Sequence, residues 1–511
     1  MSKIRIPDLG SVGLMLDTQP VDLPLSALSD VLNIRFRDGA AERISGDVQV
    51  FTAPAVVPYA LQVFNTNDQR YLVHAGLSAV YAETDTTRTN ITGTAPTGLV
   101  GNRWSTGVLN GVLVLNNGVD LPQYWGGNLA TPLAALPAFT STWRCAVLRP
   151  FKNYLVGLDW TKGAARYPQM VKWSSAADPG TTPASWNEAD PSNDAGELDL
   201  AETADELIDA LPLGDALIIY KRASMYAMTY IGGQYIFQFR RLPGEAGMLA
   251  RGCACITPQG HVVLTAGDVV VHNGAGTTSI LTGKMRRWLF AQIDTTYYAR
   301  AFVVSNPSLN EAWVCFPTSG NSTCNRALIW NWAENTLSLR ELSGVTCGTS
   351  AQFDYTTDPS WAANAQPWSE DITRWNQSDL ALAQNQLVLG STAPLLSLAD
   401  SGVDFHGSAF TAILERTGLA FDAPDRVKLA RALYPRIDGA TGQSVYIQLG
   451  GAMDVEGAIT WSDPVAYVIG SSFRADSFAS GRFLAWRIYA SGSFAWRVRS
   501  IDIDVVVQGA Y

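Results

Sequence analysis

Residues 213–274 read LGDALIIYKRASMYAMTYIGGQYIFQFRRLPGEAGMLARGCACITPQGHVVLTAGDVVVHNG, and this stretch decides the fold. Leu217-Ile218-Ile219-Tyr220 is a β-branched and aromatic run, too short for an independent helix. Met225 to Tyr230 is a second apolar run, and Gly232-Gly233 then supplies a two-residue turn tolerant of positive φ. Tyr235, Phe237 and Phe239 alternate with Gln234, Gln238 and Arg240, the period of a strand with one wet face. Val262-Val263-Leu264 starts the pattern again, and Gly267-Asp268 turns it into Val269-Val270-Val271. These are up-and-down antiparallel strands closed by glycine turns. No catalytic signature lies among them.

Working outward, the same unit recurs in pattern more than in identity. Its apolar strand returns around Leu72, Leu113, Leu155, Ile218, Val263, Val314 and Val388, with successive spacings of 41, 42, 63, 45, 51 and 74 residues. A second strand with an aromatic or bulky residue follows most of these: Tyr81, Tyr124-Trp125, Trp173, Tyr226, His272, Trp330 and Leu396. The short spacings suit a four-stranded propeller blade, and the long ones predict insertions near 160–210 and 348–380. A pair of β-sandwiches would also give evenly spaced short strands, but the repeated strand order favours the propeller. The expectation is therefore an all-β chain: a β-propeller of six or seven blades over 58–408, and an accessory β-sandwich or platform. Residues 1–57 form the opening segment of that platform and 409–511 its C-terminal β-rich part. In the opening segment, Val31 to Phe36 reads as a strand, Asp38-Gly39 as a hairpin turn and Ala40 to Ile44 as the return. At the other end, Phe483 to Tyr489, a Ser491-Gly492 turn and Phe494 to Val507 read as a terminal hairpin. Apolar residues change from even to odd positions between Val498 and Ile501, which predicts a β-bulge near Arg499-Ser500.

The composition suits this reading. Of 511 residues, 47% are hydrophobic and only 16% charged, enough apolar matter for a large core and an indication that partner subunits cover surface. The formal net charge of −10 argues against a protein that grips nucleic acid by neutralising phosphates. It is compatible with a surface that nucleic acid passes without sticking. The start of the chain carries no signal-peptide pattern and no 18-residue apolar run occurs, so no membrane insertion is expected. Six scattered cysteines, of which only Cys253 and Cys255 lie close together, read as buried free thiols made in a reducing compartment.

Candidate chemistry is sparse. The densest acidic stretch runs from Glu188 to Asp209 with no lysine or arginine, and supplies the candidate lumen or loop residues Asp190, Asp194, Glu197, Asp199, Glu202, Asp205 and Glu206. Its spacing fails the EF-hand, because the sixth position is Ala195 and the twelfth Ala201. A solvated acidic loop is the plainer reading, and repulsion of phosphates from a channel the sharper one. Paired carboxylates could serve glycoside hydrolysis, which requires a separation that sequence does not give. His261 and His272 fall in neighbouring strands without a third ligand, and Lys284, Arg286 and Arg287 beside Trp288 form the best basic patch. No Gly-x-Ser-x-Gly elbow, phosphate-binding loop or dinucleotide fingerprint appears, so no catalytic residue, metal or cofactor is expected.

Three stretches together resemble the nozzle proteins of short-tailed bacteriophages, the tail tubular protein B family. The first is Leu23-Pro24, Asp30 to Asn33 and Arg37-Asp38-Gly39. The second is Val171-Lys172-Trp173-Ser174-Ser175, Pro179 and Ser185-Trp186, followed by Leu213 to Lys221. The third is Gly481-Arg482-Phe483 to Trp496 with Ile501 to Gly509. The resemblance implies a non-enzymatic virion protein of the viral tail, made and assembled in the host bacterial cytoplasm. It implies a homohexameric ring below the tail adaptor, or head-to-tail connector. Such a ring continues the channel for ejected viral DNA, without sequence-specific binding, and supports tail fibres or spikes. The alternatives are a glycan- or receptor-binding propeller, expected to expose an aromatic cluster, and a propeller glycosidase.

Overall fold

A computed structural model describes residues 2–66, 69–84, 87–233, 235–244, 246–352 and 385–510. The N-terminal segment forms β1 (Ser2–Ile6), β2 (Asp30–Leu32), β3 (Ile34–Arg37), β4 (Ala40–Arg43) and β5 (Asp47–Gln49). The expected hairpin is β3 and β4, with Asp38 and Gly39 both at positive φ, the geometry that follows the natural twist of paired strands. The expected strand before it is broken at Asn33, whose φ is +55°, so β2 and β3 belong to different sheets.

Five four-stranded antiparallel sheets follow, each built from consecutive strands. Blade one holds Ala60–Asn65, Arg70–Ala75, Val80–Glu83 and Arg88–Asn90. Blade two holds Ser105–Leu109, Val112–Asn116, Gln123–Trp125 and Ala134–Ala135. Blade three holds Trp143–Phe151, Tyr154–Lys162, Ala165–Trp173 and Gly196–Asp199. Blade four holds Leu207–Leu213, Ala216–Lys221, Met225–Tyr230 and Phe237–Arg241. Blade five holds Ala254–Thr257, Gly260–Leu264, Val269–His272 and Thr277–Ser279. A short helix, α1 (Arg286–Gln292), leads to blade six.

Blade six begins with Phe302–Asn306, Glu311–Phe316 and Cys324–Asn331, and ends in the first half of β6 (Thr336–Ala351). The second half of β6, from Val345, pairs instead with β7 (Gln386–Ser391), which pairs with β8 (Leu395–Ala399). The outermost strand beyond β8 is β5, from the other end of the chain. One strand thus ends the sixth blade and starts the seventh. First strands of successive blades pack against one another, and β6 packs against both Phe302–Asn306 and Ala60–Asn65 to complete the ring. The described residues therefore form seven blades, and all seven apolar markers fall in the second strand of a blade. It also moves β5 out of the platform and into the propeller. The first expected insertion is the long hairpin and the 174–195 connection of blade three; the second, from 353 onward, lies outside the described residues.

The C-terminal part forms β9 (Ala412–Leu419), β10 (Arg426–Gly439), β11 (Ser444–Ala452), β12 (Thr460–Trp461), β13 (Val465–Val468), β14 (Ala475–Gly481), β15 (Phe483–Ala490) and β16 (Trp496–Ala510). They share two six-stranded sheets with the N-terminal strands. One runs β14-β10-β16-β4-β3 with β1 also on β16; the other runs β12-β11-β15-β9-β2 with β13 also on β11. The expected terminal hairpin is not one: β15 and β16 lie in opposite sheets. Each carries a wholly apolar face (Leu484, Trp486 and Ile488; Trp496, Val498, Ile501, Ile503 and Val505), and facing sheets bury both. The bulge is where the sequence placed it, since Arg436 pairs with Ser500 but Ile437 with Val498, leaving Arg499 extra. The platform core is continuous with that of blades four to six, through residues such as Trp330, Leu337 and Leu339.

Candidate functional site

The acidic stretch occupies the outermost strand of blade three and its connection to blade four. Local sequence supplies no cation, but neighbouring strands do. Lys172, fully buried, sends its ammonium to Glu188 and to Glu197 (2.9 Å), and Lys162 also reaches Glu197 at 2.5 Å. Glu206 accepts from Arg166 (3.0 Å) and Arg222 (2.6 Å). Asp205 accepts from the Ala223 N–H (2.9 Å) and Ser224, with the Lys221 ammonium at 3.3 Å. Burial pushes the Asp205 carboxyl up, but donors from Thr203, Ala223 and Ser224 and the charge of Lys221 outweigh it and bring its pKa down to about 2. Asp194 accepts the Tyr154 hydroxyl at 3.0 Å, and Asp190 closes a local turn on Ser192. Glu202 receives the Tyr226 hydroxyl at 3.4 Å, and Asp199 is exposed on the strand itself. Glu188, Glu197, Asp205 and Glu206 are thus ion-paired with blades three and four, Arg166–Glu206 crossing between them, and the surface charge of the row is lower than the sequence suggests.

The other sequence candidates resolve similarly. His261 and His272 are direct cross-strand partners in blade five, and the buried Tyr220 hydroxyl lies 2.8 Å and 3.2 Å from their Nδ1 atoms. His261 Nε2 faces the Pro212 carbonyl at 2.9 Å, so it carries the proton there and Nδ1 accepts from Tyr220. His272 then donates to the tyrosine oxygen, and two neutral imidazoles satisfy one phenol. Burial brings His261 down to about 4 and lowers His272 as well. Among the described residues no group of three His, Cys, Asp or Glu side chains is placed to hold a metal ion.

The basic patch is structural too. Asp17 accepts from the Arg287 and Trp288 N–H groups at the start of α1, Arg286 donates to the Gly267 carbonyl, and Lys284 to the Asn335 carbonyl. All six cysteines are buried and free, and burial pushes five of their thiols up to about 12 and Cys315 well above its ordinary value.

Sequence reasoning missed the joint between platform and propeller. Arg35 on β3 pairs with Glu311 of blade six and, at 2.7 Å, with Asp400 after β8. Arg340 on β6 holds Asp400 (2.8 Å) and Asp47 of β5. Trp313 Nε1 and Asn306 Nδ2, each at 2.9 Å, fill remaining acceptor positions on Glu311 and Asp400. Burial raises the Glu311 and Asp47 carboxyls. Five side chains from one platform strand, blade six, β6, β5 and the turn after β8 are locked in one buried cluster. Beside it an open cleft of about 370 Å³ is lined by Arg35, Arg37, Glu42, Arg43 and Arg497.

A second missed feature is aromatic. At the tip of the blade-four hairpin Tyr230, Ile231 and Tyr235 are 50%, 53% and 73% exposed. Tyr230 sits against Tyr154 (6.1 Å between centroids) and Phe237 (5.9 Å), joined to Trp173 and Phe239 below. The Gly232-Gly233 turn signalled the hairpin, but not that its flanks are solvent-facing.

No family model and no curated protein sequence matches this chain. Among solved structures it is similar to the WD40 β-propeller domain of Doa1, at 8% identity and TM-score 0.39, covering 69% of this chain and 96% of that one. It is also similar to BBS1N, solved in complex with ARL6DN, at 11% identity and TM-score 0.37, covering 70% and 96%.

Proposed function

We propose that this chain is a structural subunit of a viral tail nozzle: a homohexameric ring below the tail adaptor that lines the distal DNA-ejection channel and supports fibres or spikes. One observation carries the reading. The first and third stretches of the resemblance, over 400 residues apart, meet in one platform. β2, which holds Asp30 to Leu32, and β15, which holds Phe483 to Ala490, flank β9 in one sheet, and Arg497, next to Trp496 on β16, donates to the Arg37 carbonyl at 2.9 Å. The Leu23 carbonyl accepts from Arg416 at 2.9 Å, and Asn33 donates to Thr411 at 2.8 Å. The middle stretch pins the outer part of blade three, where Ser175 accepts the Ser185 N–H (3.0 Å) and Trp186 packs against Trp160 (5.6 Å). The residues behind the resemblance thus lie in the platform and in blades three and four. A rigid joint between platform and propeller also suits a part that transmits load, and a net charge of −10 suits a duct for DNA.

Electron microscopy of the purified protein, alone and with the tail adaptor, tests this reading. The expected result is a six-fold ring with an axial hole. A chain that stays monomeric and fails to bind assembled adaptor overturns it.

A second reading has its own observation, the exposed Tyr230–Tyr235 tip, since aromatic faces are what sugar rings stack on. Binding on a glycan array that Tyr235→Ala abolishes would favour a glycan-binding propeller.

A further inference from the structure

Arginines gather where the first strands of several blades begin. Arg103 stands just before Ser105–Leu109 of blade two, Arg251 before Ala254–Thr257 of blade five, and Arg300 before Phe302–Asn306 of blade six. Arg251 and Arg300 open neighbouring blades, whereas Arg103 is remote from both in sequence and blade order and yet bonds with each. Arg103 Nη1 donates to the Arg300 carbonyl at 3.0 Å, and Arg251 Nη1 to the Arg103 carbonyl at 3.4 Å. A Cβ built on Gly252 would lie 3.4 Å from Arg103 Nη2, and one on Gly118 3.4 Å from Arg251 Nη1. Both glycines are at positive φ (+76° and +77°), the backbone conformation that favours glycine.

What distinguishes these three half-buried arginines from Arg35, Arg149 and Arg340 is their partners. Arg35, Arg149 and Arg340 are each matched to carboxylates. The Arg149–Asp209 pair lies alongside, with Asp209 occupied by Arg149 on both oxygens (2.8 Å each) and by the Gly252 N–H at 3.1 Å. Among the described residues, Arg103, Arg251 and Arg300 have no carboxylate partner and donate to carbonyl groups. Burial lowers the Arg251 guanidinium, as expected of a desolvated cation whose nearest acids already serve others. A small cavity is lined by Arg103, Arg300, Asn102, Tyr59, Thr323 and Thr346. Asn102 uses its carbonyl oxygen on the Leu99 N–H at 2.8 Å, which leaves its NH2 as a donor.

The geometry points to a site at this axial mouth for a phosphate-class oxyanion, held by Arg103 and Arg300 of the cavity lining with Arg251 beside them. Forked cations without an ion-pair partner among the described residues, together with the Asn102 amide, form an arrangement that a tetrahedral oxyanion satisfies and a neutral solute does not. The anion would come either free or as part of a nucleic-acid backbone. The site is independent of the nozzle reading.

Calorimetric titration of the full chain with inorganic phosphate, at ionic strength held constant with chloride, tests it. Saturable binding is expected, weakened at least about tenfold in Arg103→Gln/Arg251→Gln, because each lost charge-assisted hydrogen bond carries on the order of a factor of ten. Arg474→Gln, an exposed arginine of the platform, should leave it unchanged. A short DNA duplex in place of phosphate separates the sources: binding of phosphate alone assigns a free anion, and binding of both that also requires Arg251 assigns a backbone phosphate. Absence of saturable phosphate binding by the unaltered protein overturns the proposal, whether or not the variant folds. So does binding that survives the double substitution in a variant whose circular dichroism is native.

Discussion

Asn33 concentrates in one side chain what ties the platform to the propeller. It is fully buried at φ +55°, between β2 of one sheet and β3 of the other. Its amide donates to Glu341 (3.0 Å) and the Thr411 carbonyl (2.8 Å) and accepts from the Glu341 N–H (2.9 Å). Asn33→Ala should cost about 3 kcal/mol in denaturant unfolding, from unsatisfied partners plus left-handed backbone strain. Asn33→Gly should recover about 1 kcal/mol of that, since glycine removes only the strain. Asp205 gives a pH-dependent counterpart. Its folded pKa of about 2 is below its unfolded value, so its stabilisation is present above about pH 4 and lost as pH falls towards 2. Asp205→Asn should therefore cost about 2 kcal/mol at pH 7, with the gap to the parent closing in urea titrations at lower pH. Such residues were hard to read from sequence. The acids from 188 to 209 look uncompensated in a row, whereas Lys162, Arg166, Lys172, Lys221 and Arg222 reach them from strands on either side. Arg35 and Glu311 lie 276 positions apart.

At the scale of elements the sequence was far more legible. Strand identity rests on local patterns, so the seven markers, the Asp38-Gly39 turn and the bulge at Arg499 could all be read. Strand partnership rests on which faces meet, and there β5 and the β15–β16 pair were misplaced. β5 matters beyond its 3 residues, because it is the outermost strand of blade seven and ties the start of the propeller to its end. Val50 N–H bonds the Leu396 carbonyl at 2.8 Å, and antiparallel alternation puts the Val48 N–H on Leu398 in the same way. Val48→Pro should remove that bond, lowering stability by about 1–3 kcal/mol. Hydrogen exchange should show lost protection concentrated at 395–399 rather than spread over the ring.

For the whole molecule, the chain's two ends are structural neighbours. β1 lies along β16 in register from Ser2↔Val505 to Ile6↔Ile501, and Ile503 sits between Ile4 and Leu433, 2% exposed. The platform cannot be completed until the last strand has been made, a long-range pairing that slows folding. Ile503→Asp places a charge there and should cost about 4 kcal/mol or more. In limited trypsin digestion it should also open Lys3 and Arg5, almost 500 residues away, to cleavage.

The double use of β6 has a mechanical meaning. In an ordinary blade-to-blade connection, a loop takes up strain when neighbouring blades are pulled apart. Here blades six and seven share one continuous 16-residue strand, and Arg340 on that strand grips the joint to the platform. Tension between these blades would have to shear a ladder of hydrogen bonds all at once rather than extend a loop. The propeller is therefore stiffest at this seam, directly beside the platform.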